Sequence, residues 1–225
     1  MRLLAIDTTT PNGSGAVLED GRVLASFEDA SASSHSARLL ASVEGLLKPL
    51  GLGIRDLDAY AVTTGPGSFT GIRIGLSTVK AFAFASGRPV APVSSLRALA
   101  WKFREDPGAA APMVDAKKGE IYAAVFRIGR GGLEEIVPEG AYEPAAFLAR
   151  VPRGAPVRLI GTGIAVCGDL IAAALGADGR VSPLAPFIGI EVGLLGAEIL
   201  AAGGGLSAEA LEPLYFRKSQ AEDRH

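Results

Sequence analysis

Two aspartates each close a short apolar run, Asp7 after Leu3-Leu4-Ala5-Ile6 and Asp115 after Pro112-Met113-Val114. A carboxylate in that position could hold a magnesium-bound water beside a phosphate. Equally, it could accept the backbone N–H groups of the turn that follows. Asp7 is followed by Thr8-Thr9-Thr10, which leaves both readings open. A third candidate is the run Gly65-Pro66-Gly67-Ser68-Phe69-Thr70-Gly71-Ile72-Arg73-Ile74-Gly75, placed between a strand and a helix. Helix-start N–H groups and the positive end of the helix dipole suit an anion, so Gly65, Gly67, Ser68 and Thr70 could line a nucleotide phosphate. The run is not a Walker loop, because no Gly-Lys-Ser/Thr follows it. The alternative is a tight turn in which Ser68 or Thr70 caps the helix.

Other chemistries are excluded by counting. The 225 residues include two histidines, His35 and His225, and one cysteine, Cys167. A Cys/His zinc site, a Cys-x-x-Cys redox pair and a disulfide framework therefore cannot be built, and no metal site is expected. His35 reads as a polar residue at a helix start, and Cys167 as a small packed side chain. Net charge is −2, so no global basic field draws the chain to nucleic acid or anionic membrane. Lys117, Lys118, Arg127 and Arg130 form one modest basic set and Arg217-Lys218 another; both read as solvated surface. No signal-peptide h-region is expected at the N-terminus. The apolar stretch from Ala185 to Leu206 carries Glu191 and Glu198, which disfavours a membrane span. A cytoplasmic protein is expected.

The elements that must position these residues follow from periodicity. Strands are expected at 2–7, 14–19 and 22–28, the last two joined by an Asp20-Gly21 hairpin. A helix capped by Ser33 or Ser34 runs to about Lys48, with Leu39, Leu40, Val43, Leu46 and Leu47 in helical spacing. A strand at 58–64, the glycine run, a helix over 71–86 and a strand at 89–93 come next. A helix from Ser94 or Ser95 to Arg104 completes the half. The second half repeats this grammar: strands at 112–115, 120–128 and 133–137, a helix at 143–150 and a strand at 157–160. The Gly161-Thr162-Gly163 loop and a helix to Leu175 follow. A duplicated βββαβα unit is the layout of the actin-like, sugar-kinase-like α/β fold (the ASKHA class), with two lobes at 1–104 and 105–225. In that class the two aspartates would lie beside nucleotide and magnesium. Here the residues after Asp115, Ala116-Lys117-Lys118-Gly119, lack the second glycine-rich phosphate loop.

The helix at 71–86 is apolar around most of its circumference, with only Arg73 and Lys80 charged. Such a helix is buried around most of its circumference. A partner surface is therefore expected on helices 34–50 and 71–86. Its candidate residues are Leu39, Leu40, Val43, Leu46, Leu47, Ile72, Gly75, Leu76, Val79 and Phe82.

These residues resemble the TsaB (YeaZ) family. The resemblance is carried by Leu3-Leu4-Ala5-Ile6-Asp7-Thr8-Thr9, His35-Ser36 with Leu39-Leu40, and Gly65 to Gly75. It continues through Val93-Ser94-Ser95-Leu96, Asp115-Ala116-Lys117-Lys118-Gly119-Glu120-Ile121-Tyr122 and Glu212-Pro213-Leu214-Tyr215-Phe216-Arg217. It implies a non-catalytic subunit in the synthesis of threonylcarbamoyladenosine at adenosine 37 of tRNA. Such a subunit is a homodimer when alone and pairs with a TsaD-like catalytic subunit, which a TsaE-like ATPase joins. No cofactor is expected in the isolated chain, although a nucleotide could lodge at a subunit interface. Ala37 and Ala41 depart from the polar residue and the proline that relatives often carry there. The competing expectation is a small-molecule kinase or ATPase of the same fold that uses Asp7 and Asp115.

Overall fold

The computed structural model describes residues 1–10, 13–29 and 35–216, apart from the side chains of 35–37. The helix cap expected at Ser33 or Ser34, the His35 side chain and the Arg217-Lys218 pair lie outside the described residues. Two five-stranded sheets form the framework. The first contains β1 (Arg2–Asp7), β2 (Gly13–Glu19), β3 (Arg22–Asp29), β4 (Ala59–Gly65) and β5 (Val90–Ser94), in the order β3-β2-β1-β4-β5. The second contains β6 (Gly108–Lys117), β7 (Glu120–Gly129), β8 (Gly132–Tyr142), β9 (Val157–Ile160) and β10 (Gly179–Val181). Its order, β10-β9-β6-β7-β8, reproduces the first sheet strand for strand. In each, the first strand pairs antiparallel with the second and parallel with the fourth. The duplicated βββαβα layout is thus present, extended by a fifth strand in each half.

Local chemistry explains the element boundaries. Asp20 and Gly21 adopt φ of 50° and 79°, the left-handed pair that a two-residue hairpin turn requires. Helices α1 (His35–Leu47) and α2 (Phe69–Ser86) follow β3 and β4. Ser68 caps α2 by accepting from the Gly71 N–H, and Gly87, at φ 68°, ends it. Helix α3 (Ser95–Trp101) is shorter than the expected run to Arg104. In the second half α4 (Pro144–Leu148) is capped by Glu143, whose carboxylate accepts from the Ala145 and Ala146 N–H groups. The single helix expected to Leu175 is two, α5 (Ile164–Cys167) and α6 (Leu170–Leu175), broken at Gly168 with φ 48°.

The chain forms two compact units, but not at the expected boundary of 104. Among the described residues, one unit is Met1–Ser95 with Phe187–Leu214; the other is Leu96–Pro186 with Tyr215 and Phe216. The first unit gains its late segment because α7 (Gly189–Ala201) lies on β1, β2, β4 and β5. Gly189, Gly193 and Gly196 share one face of α7, and that face meets the sheet. A Cβ at Gly193 would stand 2.2 Å from Leu18 Cδ1, and one at Gly196 2.4 Å from Ala61 Cβ. Beyond α7, Leu206 bridges Val90 and Leu211 is fully buried. From Gly189 onward the apolar stretch is therefore a segment that packs on the first sheet. Among the described residues no helix is long and apolar enough to cross a membrane.

The apolar core of the first unit gathers Leu4, Ile6, Val17, Leu39, Val43, Leu46, Leu47, Tyr60, Val62, Ile72, Leu76, Val79 and Leu211. It joins sheet, α1, α2 and the returning segment. A substitution pair tests the close approach of α7. At Gly189 a Cβ would meet the Gly15 backbone at 2.5 Å, whereas at Gly45 on α1 it meets nothing within 4 Å. Gly189→Ala is expected to destabilise by about 2–3 kcal/mol. Gly45→Ala is expected to stabilise by about 0.5–1 kcal/mol through helix propensity. Urea midpoints of the two variants check both signs.

Candidate functional site

Asp7 ends β1 fully buried. Its Oδ1 accepts three hydrogen bonds: from the Thr9 N–H (3.0 Å), from Thr9 Oγ1 (2.7 Å) and from Thr63 Oγ1 on β4 (2.8 Å). Among the described residues its buried Oδ2 has no partner. Burial pushes the Asp7 carboxyl above its ordinary value, and the bonds from Thr9 and Thr63 only partly oppose this. The local role anticipated for the aspartate, acceptor for the turn after it, is present.

The glycine run packs on that same turn. A Cβ at Gly67 would stand 2.5 Å from the Thr9 carbonyl oxygen, and one at Gly71 1.9 Å from that of Thr8. The Ser68 N–H donates to the Thr9 carbonyl (2.7 Å), the Gly71 N–H to Ser68 Oγ (3.2 Å) and the Ile72 N–H to the Ser68 carbonyl (2.8 Å). Gly65, at φ 122°, faces the Leu214 carbonyl, which a Cβ would approach to 2.7 Å. The close approaches that glycine permits at Gly65, Gly67 and Gly71 are to the chain's own backbone. Ser68 is the cap; Thr70 is exposed in the first turn of α2.

Asp115 in the second unit is placed differently, although its strand is equivalent. It is partly exposed, pairs with Lys117 Nζ at 2.7 Å and accepts from the Lys117 N–H at 2.7 Å. Burial pushes it up, but the hydrogen bonds and charge of Lys117 outweigh this and hold it below the usual carboxylate range. Lys117 and Lys118 have positive φ in the turn that follows. Among the described residues no group of three or more His, Cys, Asp or Glu side chains could hold a metal ion. Cys167 is buried beside Met113, its Sγ 3.8 Å from Sδ.

The residues expected at a partner surface divide sharply. Leu39, Val43, Leu46, Leu47, Ile72, Gly75, Leu76 and Val79 are buried inside the first unit, so they hold α1 and α2 on their own sheet. Packing within the unit, on β4, β1 and α1, thus accounts for much of the apolar excess of α2. Leu40 stays 53% exposed and Phe82 is half-buried. Phe84, which sequence reasoning missed, is 78% exposed. Its signal was available, since it falls outside the stripe formed by Ile72, Leu76, Val79 and Ala83. A cavity of 530 Å³ opens nearby, lined by Leu40, Val43, Leu47, Leu52, Ile54 and Phe82 with Glu44 and Lys48.

The raised Asp7 carboxyl has a consequence for stability. Its folded form holds the proton more tightly than the unfolded chain, whose value is near 3.8. The stabilising contribution of the neutral carboxyl is full below that value and is lost as pH rises through the raised folded value. Asp7→Asn can keep the three bonds to Oδ1 without the buried charge. In melting temperatures taken as pH rises from the unfolded value of 3.8, the wild type should lose stability relative to the variant, which becomes the more stable of the two. Parallel profiles would contradict the assignment.

Comparison with known proteins agrees with this architecture. A family model described as TsaD, tRNA N6-adenosine threonylcarbamoyltransferase, matches residues 28–215. The chain is 32% identical over 225 residues to the tRNA threonylcarbamoyladenosine biosynthesis protein TsaB of Bacillus subtilis (strain 168), covering 99% of this chain and 96% of that protein. It is similar to the solved YeaZ from Pseudomonas aeruginosa, with a TM-score of 0.80 and 31% identity over 95% of this chain and 99% of that one. An activator of 2-hydroxyisocaproyl-CoA dehydratase from Clostridium difficile shares the fold alone, with a TM-score of 0.51 at 12% identity over 96% of this chain and 100% of that one. The duplicated sheets are thus those of the actin-like fold, and the chain belongs to the TsaB (YeaZ) family.

Proposed function

We propose that this chain takes part in the synthesis of threonylcarbamoyladenosine in tRNA as a non-catalytic subunit. In this reading it binds a TsaD-like catalytic subunit, a TsaE-like ATPase joins the pair, and adenosine 37 is modified in the cytoplasm. The observation that carries the non-catalytic role is the glycine run. A loop that could have cradled phosphate is filled by the backbone of Thr8 and Thr9, with the Ser68, Gly71 and Ile72 N–H groups engaged inside the chain. Asp115, the second carboxylate that a kinase of this fold would need, is tied to Lys117. tRNA is reached through the complex.

The partner surface lies on the exposed sides of α1 and α2. Leu40 and Phe84 are large apolar side chains that a monomer gains nothing by exposing. The cavity at the foot of α1 offers a pocket for an apolar anchor, and Glu44 and Lys48 supply a polar rim. The same surface serves a second copy when the catalytic subunit is absent.

Binding of purified chain to a TsaD-like subunit, followed by isothermal titration, tests this reading. Phe84→Glu and Leu40→Glu are each expected to weaken the complex by about 100-fold, as loss of an interface anchor does, with the fold intact. Val79→Glu would instead place an uncompensated charge in the core and is expected to unfold the chain. Undiminished binding by Phe84→Glu together with Leu40→Glu would place the partner elsewhere.

A further inference from the structure

The exposed side of α2 can serve a partner only if the opposite side of the helix is held in one position. Ile72, Leu76, Val79 and Ala83, which bury that side, are small or aliphatic, and their attraction is non-directional. Directional contacts hold both ends of α2: at the last turn Ser86 Oγ lies 3.1 Å from the Tyr60 hydroxyl of β4, and the others gather where the helix begins. Gly67, Gly71 and Gly75 recur every four residues, and all three lie against the turn that leaves β1. A Cβ at Gly75 would stand 2.4 Å from Thr8 Oγ1, where those at Gly67 and Gly71 meet the Thr9 and Thr8 carbonyls. Across this contact Thr8 Oγ1 donates to the Gly71 carbonyl at 2.7 Å, in a buried site. The Ser68 N–H donates to Thr9. Asp7 then holds the turn itself, through both the N–H and the hydroxyl of Thr9, and ties it to β4 through Thr63.

We infer that Asp7, Thr8 and Thr9 form an anchor that positions α2 for its partner, with Thr8 as the positioning residue that fixes the height and rotation of the helix. The partner half of this inference rests on the reading above. Close-packed surfaces shift between discrete arrangements rather than deforming smoothly, so a helix released at its base changes its whole presented face. Phe84 lies 13 residues beyond Gly71, about 20 Å along the axis, and a small rotation at the first turn is carried to it. A hydrogen bond in a dry site resists that rotation, which aliphatic contacts tolerate. The aspartate's acceptor capacity is what the anchor uses; its acidity is not.

Thr8→Val keeps the shape of the side chain and removes the hydroxyl, while Thr8→Ser keeps the hydroxyl. Two readouts are taken on each full-length variant: affinity for the TsaD-like subunit and hydrogen exchange of the α2 amides. The expected result for Thr8→Val is at least tenfold weaker binding, with at least tenfold faster exchange over residues 71–76 and an unchanged far-UV spectrum. Thr8→Ser should recover both to within threefold. Asp7→Ala should resemble Thr8→Val, and Asp7→Asn, whose carbonyl accepts the same bonds, should recover most of the loss. Wild-type exchange over 71–76 in Thr8→Val overturns the anchor, whatever the partner does. Accelerated exchange with undiminished affinity overturns its link to the partner surface. Failure of the wild-type chain to bind refutes the partner reading instead, and exchange still decides the anchor.

Discussion

The approach of α2 to the turn after β1 is the contact on which the rest of the first unit depends. The start of α2 comes so near Thr8 and Thr9, the backbone at Gly67 and Gly71 and the Thr8 hydroxyl at Gly75, that no side chain larger than hydrogen fits at these glycines. That closeness lets Thr8 reach the Gly71 carbonyl and Thr9 receive the Ser68 N–H. It also buries Asp7, whose carboxylate then has Thr9 and Thr63 as its only hydrogen-bond donors among the described residues, on one oxygen. The packing engages the Ser68, Gly71 and Ile72 N–H groups within the chain. The same packing seats the first turn of α2 on the turn that leaves β1.

The second unit shows how far the duplication extends. Gly161 and Gly163 press on Met113 as the first glycine run presses on Thr8 and Thr9; a Cβ at Gly161 would lie 2.2 Å from the Met113 carbonyl oxygen. The sheet order is preserved, and so is the aspartate near the end of the first strand. The fates of the two aspartates differ because their neighbours differ. Asp7 meets threonines and no cation, so burial dominates. Asp115 meets Lys117, so charge and hydrogen bonding dominate. One topology thus supports two unlike electrostatic settings, which is why the fold by itself says little about activity.

Much of this was legible in the amino-acid order. The strand runs and the Asp20-Gly21 hairpin could be read because a half-buried or buried strand needs apolar side chains and a two-residue turn needs left-handed residues. The aspartates were found by their position after those runs. Apolar excess on α2 reports burial, not what does the burying. Leu211 and the other late residues that help cover the core come from more than a hundred positions away. The spacing of Gly67, Gly71 and Gly75 carried the signal for close backbone approach, but it reads equally well as a phosphate loop until the neighbours are known. The role of α7 was hidden in the same way, in glycines at 189, 193 and 196 within an apolar run. Strand β10, three residues long, leaves no periodicity to detect.

In the role proposed above, the chain assists a catalytic subunit without performing chemistry itself. The most direct measurement is reconstitution of tRNA threonylcarbamoylation from purified TsaD-like and TsaE-like proteins, with this chain present, absent, or replaced by Asp115→Asn. Modified adenosine is predicted only when the chain is present, with full yield from the Asp115→Asn variant, because that carboxylate serves its own turn. Modification without the chain, or loss of it in Asp115→Asn while the complex still assembles, would contradict the account.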